Sequence, residues 1–130
     1  DFAAAEYQLV YEGNDDRFEW FVSDGTTTLG LETNQTPDAQ TWYFLVCEYN
    51  STLNKSNLWM DDVKASFGST IANGNSGNLS FRIGSNNNTS FQLYFHGRVD
   101  EVSFWKRLLT DQEKTFLFNN GDGLAYPFGN

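Results

Sequence analysis

Apolar and polar side chains alternate along most of this chain. EYQLVYEG places Tyr7, Leu9 and Tyr11 on one face, and RFEWFVSDG sets Phe18, Trp20 and Val22 against Glu19, Phe21 and Ser23. A period of two is the signature of a strand. Asp24-Gly25 predicts a two-residue hairpin turn, because both residue types tolerate positive φ, and TTTLGLET is the return strand. After the loop TPDAQ, TWYFLVCEYN is apolar on both faces and predicts a central strand covered on both sides. NSTLNKSN reads as a polar loop. NLWMDD and VKASFGS then predict a second hairpin turning at Asp61-Asp62, where Asp can enter the left-handed region.

Beyond the loop ANGNSGN, NLSFRIGS alternates Leu79, Phe81 and Ile83 against Ser80 and Arg82. SFQLYFHG alternates Phe91, Leu93 and Phe95 against Gln92, Tyr94 and His96. In RVDEVSFW, Val99 shares a face with Val102 and Phe104 only if one extra residue is absorbed near Asp100-Glu101, which is the arithmetic of a β-bulge. Thr110-Asp-Gln-Glu113 is a capping box opening a short helix that carries Phe116 and Leu117, and Asn119-Asn120-Gly121 ends it. About seven or eight short strands with one helical turn predict an all-β, antiparallel two-sheet sandwich.

Composition changes the picture in a few respects. A chain of 130 residues is one domain, and 17% aromatic residues are enough to build a core. The net charge of −9 repels phosphate backbones and anionic bilayers, which argues against a nucleic-acid partner, and no apolar stretch is long enough for membrane insertion. The single cysteine, Cys47, forbids an internal disulfide and reads as a small buried hydrophobe. Acidic, Asn/Thr/Gly-rich and Lys-poor composition points to an extracellular, virion or cell-surface protein. Six N-x-S/T sequons, at Asn34, Asn50, Asn54, Asn78, Asn87 and Asn88, are what chance yields in so Asn-rich a sequence. The chain opens on Asp1 without a leader pattern, so a processed form or part of a longer chain is expected.

Taken in order, WYFLV (42–46), LWMD (58–61), FRIG (81–84), FHGRVDEVSFW (95–105), LTDQE (109–113) and NGDG (120–123) resemble the concanavalin A-like jelly rolls, and within them the laminin-G-like and pentraxin-like branch. The resemblance spans residues 7 to 125 and implies a jelly-roll sandwich. Two departures stand out. Asp62 occupies a place where a small turn residue is usual, and such sandwiches run to about 200 residues. Strands that normally precede EYQLVYEG are missing from this sequence. The expectation is an upstream segment, or an open sheet edge completed by a partner strand.

The resemblance also frames the candidate chemistry. Glycosidases on this jelly roll align carboxylates at alternate positions of one strand, and no E-x-D-x-E run occurs here. Asp15, Asp16, Asp61 and Asp62 sit in predicted turns, and the lone His96 lacks triad or zinc spacing. No catalytic residues are assigned, and a non-enzymatic module is expected. Asp100 and Glu101 are read as holding backbone N–H groups at the bulge. The resemblance adds a structural calcium on Asp100 as the alternative; otherwise no cofactor is expected. Sugars stack on aromatics and bond to Asn, Asp and Gln, which nominates Trp59, Tyr94, Tyr43, Tyr49 and Asn87; core packing competes for every aromatic. Trp42 and Trp105 match positions that look structural in the family, and Leu58 and Met60 read as core. The expected function is recognition or adhesion, with a glycan ligand. The alternative is a structural or fibre part of an assembly, such as a virion, that binds protein partners; a degenerate glycosidase is a third reading.

Overall fold

A computed structural model describes residues 7–68, 80–86 and 92–127 of the chain. Among the described residues six strands form two antiparallel sheets. β1 (Tyr7–Glu12), β2 (Arg17–Ser23) and β3 (Thr28–Glu32) make one in the order β1-β2-β3; β4 (Leu45–Asn50), β5 (Lys55–Met60) and β6 (Val63–Gly68) make the other in the order β4-β5-β6. Each sheet is a meander of tight hairpins. The expected all-β sandwich, with one short C-terminal helix, is what the fold delivers.

The alternation read from the sequence sets the faces. Tyr7, Leu9 and Tyr11 pair with Val22, Trp20 and Phe18, and Trp20 and Val22 pair in turn with Leu31 and Leu29. At Trp20, Val22 and Leu31 this apolar face turns toward the second sheet, whose inner face carries Cys47, Tyr49, Ser56, Leu58 and Met60, while Tyr7, Leu9 and Tyr11 on β1 stay exposed. The core lies between them, where Val22, Leu31, Leu58 and Met60 are buried. Leu58 is entirely enclosed, which is worth about 2 kcal/mol of apolar transfer.

One buried hydroxyl ties the sheets together. Ser56 Oγ accepts the indole N–H of Trp20 at 2.9 Å and donates to the backbone oxygen of Glu48 at 3.2 Å. The Trp20 ring is stacked on Tyr7, with centroids 5.7 Å apart and planes 4° from parallel. Tyr7 in turn meets Tyr49 of the opposite sheet at 5.9 Å.

Several elements differ from expectation. The β2–β3 loop spans 24–27 rather than two residues, since Ser23 pairs with Thr28. Asp24 Oδ1 accepts the amides of Thr26 and Thr27, at 2.9 and 2.7 Å, and so satisfies a longer loop. These bonds also hold the Asp24 carboxyl below its ordinary pKa. Within TWYFLVCEYN only Leu45–Asn50 is strand, and among the described residues β5, not β4, is the central strand of its sheet. The Asp61-Asp62 turn forms as expected: Asp61 takes φ 55°, and its carboxylate accepts the Phe44 amide at 2.9 Å.

The largest difference concerns the three strands expected from NLSFRIGS, SFQLYFHG and RVDEVSFW. Over 80–86 and 92–105 there is no strand, only one antiparallel bridge between Ser85 and Tyr94. Residues 69–79 and 87–91 lie outside the described residues. Alternation creates a strand only where a neighbouring ladder pairs with it. Here Phe81, Ile83, Leu93, Val99, Val102 and Phe104 remain exposed, and Phe81 packs edge-on against Phe104 at 4.9 Å. The bulge expected near Asp100-Glu101 therefore has no strand to sit in; Glu101 takes φ 50° in an irregular segment.

The capping box is present as read. Thr110 Oγ1 accepts the Glu113 amide at 3.2 Å, and Thr110 N donates to Glu113 Oε2 at 2.8 Å. Helix α1 (Asp111–Phe118) runs two turns rather than one, and Asn119 ends it in the left-handed conformation, φ 48°. Of the two expected apolar residues, Leu117 is half-buried. Phe116 is exposed, whereas Lys114 is buried and Phe118 meets Phe44 at 6.1 Å. The face α1 meets offers Glu48 and Trp59, which suit a cation better than a phenyl ring.

Candidate functional site

The sequence-nominated binding residues fall in separate places. Trp59 and Tyr49 occupy neighbouring strands of one sheet but opposite faces, because Tyr49 pairs with Ser56 while Trp59 pairs with Val46. Tyr49 points inward, and burial raises its hydroxyl pKa. Tyr43 precedes β4; its hydroxyl accepts the Asp38 amide at 2.7 Å, and its ring faces Phe18 edge-on at 6.3 Å. Tyr94 sits on the 92–105 segment, 62% exposed, and donates its hydroxyl to Gln92 Oε1. Asn87 lies outside the described residues. The expected stacking platform therefore reduces to single rings rather than one surface.

Trp59 belongs to a polar cluster that the sequence did not announce. On the outer face of β4–β6, Glu48 Oε2 accepts Asn57 Nδ2 at 2.9 Å and the Trp59 indole N–H at 3.3 Å. Glu48 Oε1 receives Lys114 Nζ at 3.0 Å. The same ammonium lies 4.3 Å from the centre of the Trp59 ring and 3.1 Å from Asp111 Oδ1, while Lys64 approaches that ring at 5.2 Å. Carboxylate, cation and indole thus satisfy one another in a site closed by α1. The one available signal was Glu48 itself, a charge inside an apolar run, where a buried partner is required.

The acids expected to hold backbone do so. Asp100 Oδ1 accepts the Glu101 amide at 2.9 Å, and Glu101 Oε2 accepts the Tyr126 amide at 3.3 Å. Among the described residues no three His, Cys, Asp or Glu side chains gather as a metal-holding group. His96 is exposed. Cys47 faces the core, and burial followed by the charge of Glu48 pushes its thiol up to about 12. Trp42 and Trp105, excluded as structural, are both substantially exposed.

A second feature lies on the outer face of β1–β3. Glu19, Phe21, Gly30, Leu31 and Glu32 line an open groove of about 300 Å³. Glu19 and Glu32 are directly opposite across β2–β3. The Phe21 ring lies over Gly30 so closely that an added Cβ would stand 2.5 Å from Cε1. Burial, then the charges of Glu12, Glu32 and Asp15, raise the pKa of Glu19. Arg17 approaches Glu32 at 3.6 Å. Neighbouring positions in the sequence do not reveal this, because the two acids meet only through the hairpin register.

The laminin-G-type family model described as the concanavalin A-like lectin/glucanases superfamily matches residues 1–113. No curated protein and no solved structure matches the chain. Among the described residues no helix is long and apolar enough to cross a membrane. The chain belongs to the concanavalin A-like lectin/glucanases superfamily.

Proposed function

We propose that this laminin-G-type domain is a non-enzymatic recognition module that binds carbohydrate at a cell or virion surface. The observation that carries the reading is Tyr94, an exposed ring held beside a side-chain amide through its hydroxyl contact with Gln92. A flat apolar plate next to amide groups is what a sugar ring needs for stacking and hydrogen bonding. Family membership supports the same class, as analogy of fold rather than of site. The non-enzymatic reading rests on how the acids are used. Glu48 is neutralised by Lys114, and Asp61, Asp100 and Glu101 accept backbone amides. A glycan array on the purified domain tests the proposal: saturable binding that Tyr94→Ala abolishes supports it, and no binding across diverse sugars overturns it.

A second reading has its own support. Phe81, Ile83, Leu93 and Phe104 expose apolar surface on neighbouring segments, and exposed apolar clusters of this kind serve protein contacts. An assembly or fibre component that binds a protein partner accounts for them. Recovery of the domain in a stable complex with its native neighbours, without any glycan affinity, favours this reading over the first.

A further inference from the structure

We propose that Glu48, Asn57 and Trp59 on the outer face of β4–β6 form a lysine-recognition site, occupied in the resting protein by Lys114 and open by exchange to a lysine side chain of a protein partner. The proposal is independent of the glycan reading.

The sheet builds the site without the helix. Glu48 stands directly opposite Asn57 across β4–β5, and Trp59 lies two residues further along the same face. Asn57 Nδ2 and the Trp59 indole N–H both donate to Glu48 Oε2, which orients the carboxylate and turns Oε1 to a cation. Lys114 supplies that cation from a separate element, with Nζ 3.0 Å from Oε1 and 4.3 Å from the ring centre. One carboxylate oxygen and one ring face suit a compact ammonium, whereas a guanidinium fork calls for both oxygens. A neutral ligand in the same place would leave Glu48 buried without a counter-charge. The chain's charge of −9 draws lysine-bearing segments to the surface.

Lys114 has a way out. Its Nζ also lies 3.1 Å from Asp111 Oδ1 on a side chain that is 85% exposed, so the ammonium keeps a carboxylate when it turns to solvent. Within α1 only Lys114 is buried, and the helix start is held separately by the bonds of Thr110 and Arg107 to Glu113. Vacating the site would strand the Glu48 charge, but exchanging one ammonium for another conserves the buried pair. Lys114 competes from its own chain at an effective concentration on the order of millimolar, so the site answers to a partner that presents its lysine at a comparable local concentration.

The test titrates wild-type and Lys114→Ala protein with acetyl-Gly-Lys-Gly-amide and follows the Trp59 indole N–H by NMR. Both are expected to bind saturably, the variant about tenfold more tightly because its internal competitor is gone. The arginine peptide should bind more weakly than the lysine peptide, and the Nε-acetyl-lysine peptide not at all. Adding Glu48→Gln to Lys114→Ala should abolish binding. Equal binding of the acetylated peptide, or binding that survives Glu48→Gln, means contact elsewhere and overturns the proposal. Binding to Lys114→Ala with none to the wild-type protein at about 10 mM peptide means a permanent internal pair and overturns it too. Should Lys114→Ala fail to fold, the wild-type protein still decides: the Trp59 indole and the Lys114 side-chain signals must shift together on adding peptide, and shifts centred elsewhere refute the site.

Discussion

The ammonium of Lys114 stands 3.0 Å from Glu48 Oε1, although 66 residues separate them in the chain. Both side chains are almost fully buried, at 9% and 6% exposure. This pair fixes α1 to the sheet, because the helix otherwise contributes few enclosed apolar contacts. Lys114→Met should leave Glu48 buried without its counter-charge and destabilise the domain by about 3 kcal/mol. Replacing both residues, Lys114→Met with Glu48→Gln, should recover much of that loss. Urea unfolding of Lys114→Met, Glu48→Gln and the double variant measures it, and additive losses would contradict direct coupling.

Ser56→Ala removes the acceptor for the Trp20 indole between the sheets. The loss strands a donor in a largely enclosed position and should cost about 1–2 kcal/mol. Thermal unfolding reports the cost. Trp20 fluorescence gives a second readout, since the indole loses its hydrogen bond even where the fold survives.

Arg107 grips Glu113 with two bonds, Nη1 to Oε2 at 2.8 Å and Nη2 to Oε1 at 2.6 Å. Together with the Thr110 amide, this pulls the Glu113 carboxyl down to about 2. A carboxyl whose folded pKa is depressed contributes stability fully above its unfolded value, near 4.3, and loses it as pH falls from there through about 2. The α1 start should therefore fray only in strong acid. Arg107→Ala should return the Glu113 titration toward the ordinary carboxylate range, and side-chain carbon shifts in NMR follow it directly.

Cys47 should be inert in the native protein. With its thiol raised to about 12, almost no thiolate exists at pH 8. Reaction with a chromogenic disulfide should be far slower than for a free cysteine and become fast in denaturing urea. Native labelling at the free-thiol rate would show that the β4–β5 face opens readily.

The legible part of this chain was local. Tyr7, Leu9, Tyr11, Phe18, Trp20 and Val22 declare their common face by period two, and the sheet honours it. Thr110 and Glu113 declare a helix start three residues apart, and Asn119 its end. Asp100 and Glu101 were read as backbone holders and each accepts a backbone amide, but outside any strand rather than at the expected bulge. The family was legible from the order of short motifs, and the match over residues 1–113 bears it out.

Tertiary structure decided what the alternation could not. FRIG and FHGRVDEVSFW carry strand-like patterns, yet a strand also needs a neighbouring ladder, and over 80–86 and 92–105 only the Ser85–Tyr94 bridge supplies one. Trp59 was read as a platform, but its surroundings depend on a helix more than 50 residues away that brings Lys114 onto its ring. Glu19 and Glu32 became neighbours through a hairpin register that a four-residue loop, not a two-residue one, establishes. Sequence determines what each segment prefers, because backbone geometry and side-chain polarity act over a few residues. Which carboxylate meets which cation, and which apolar face is covered, depends on distant segments arriving at the same place.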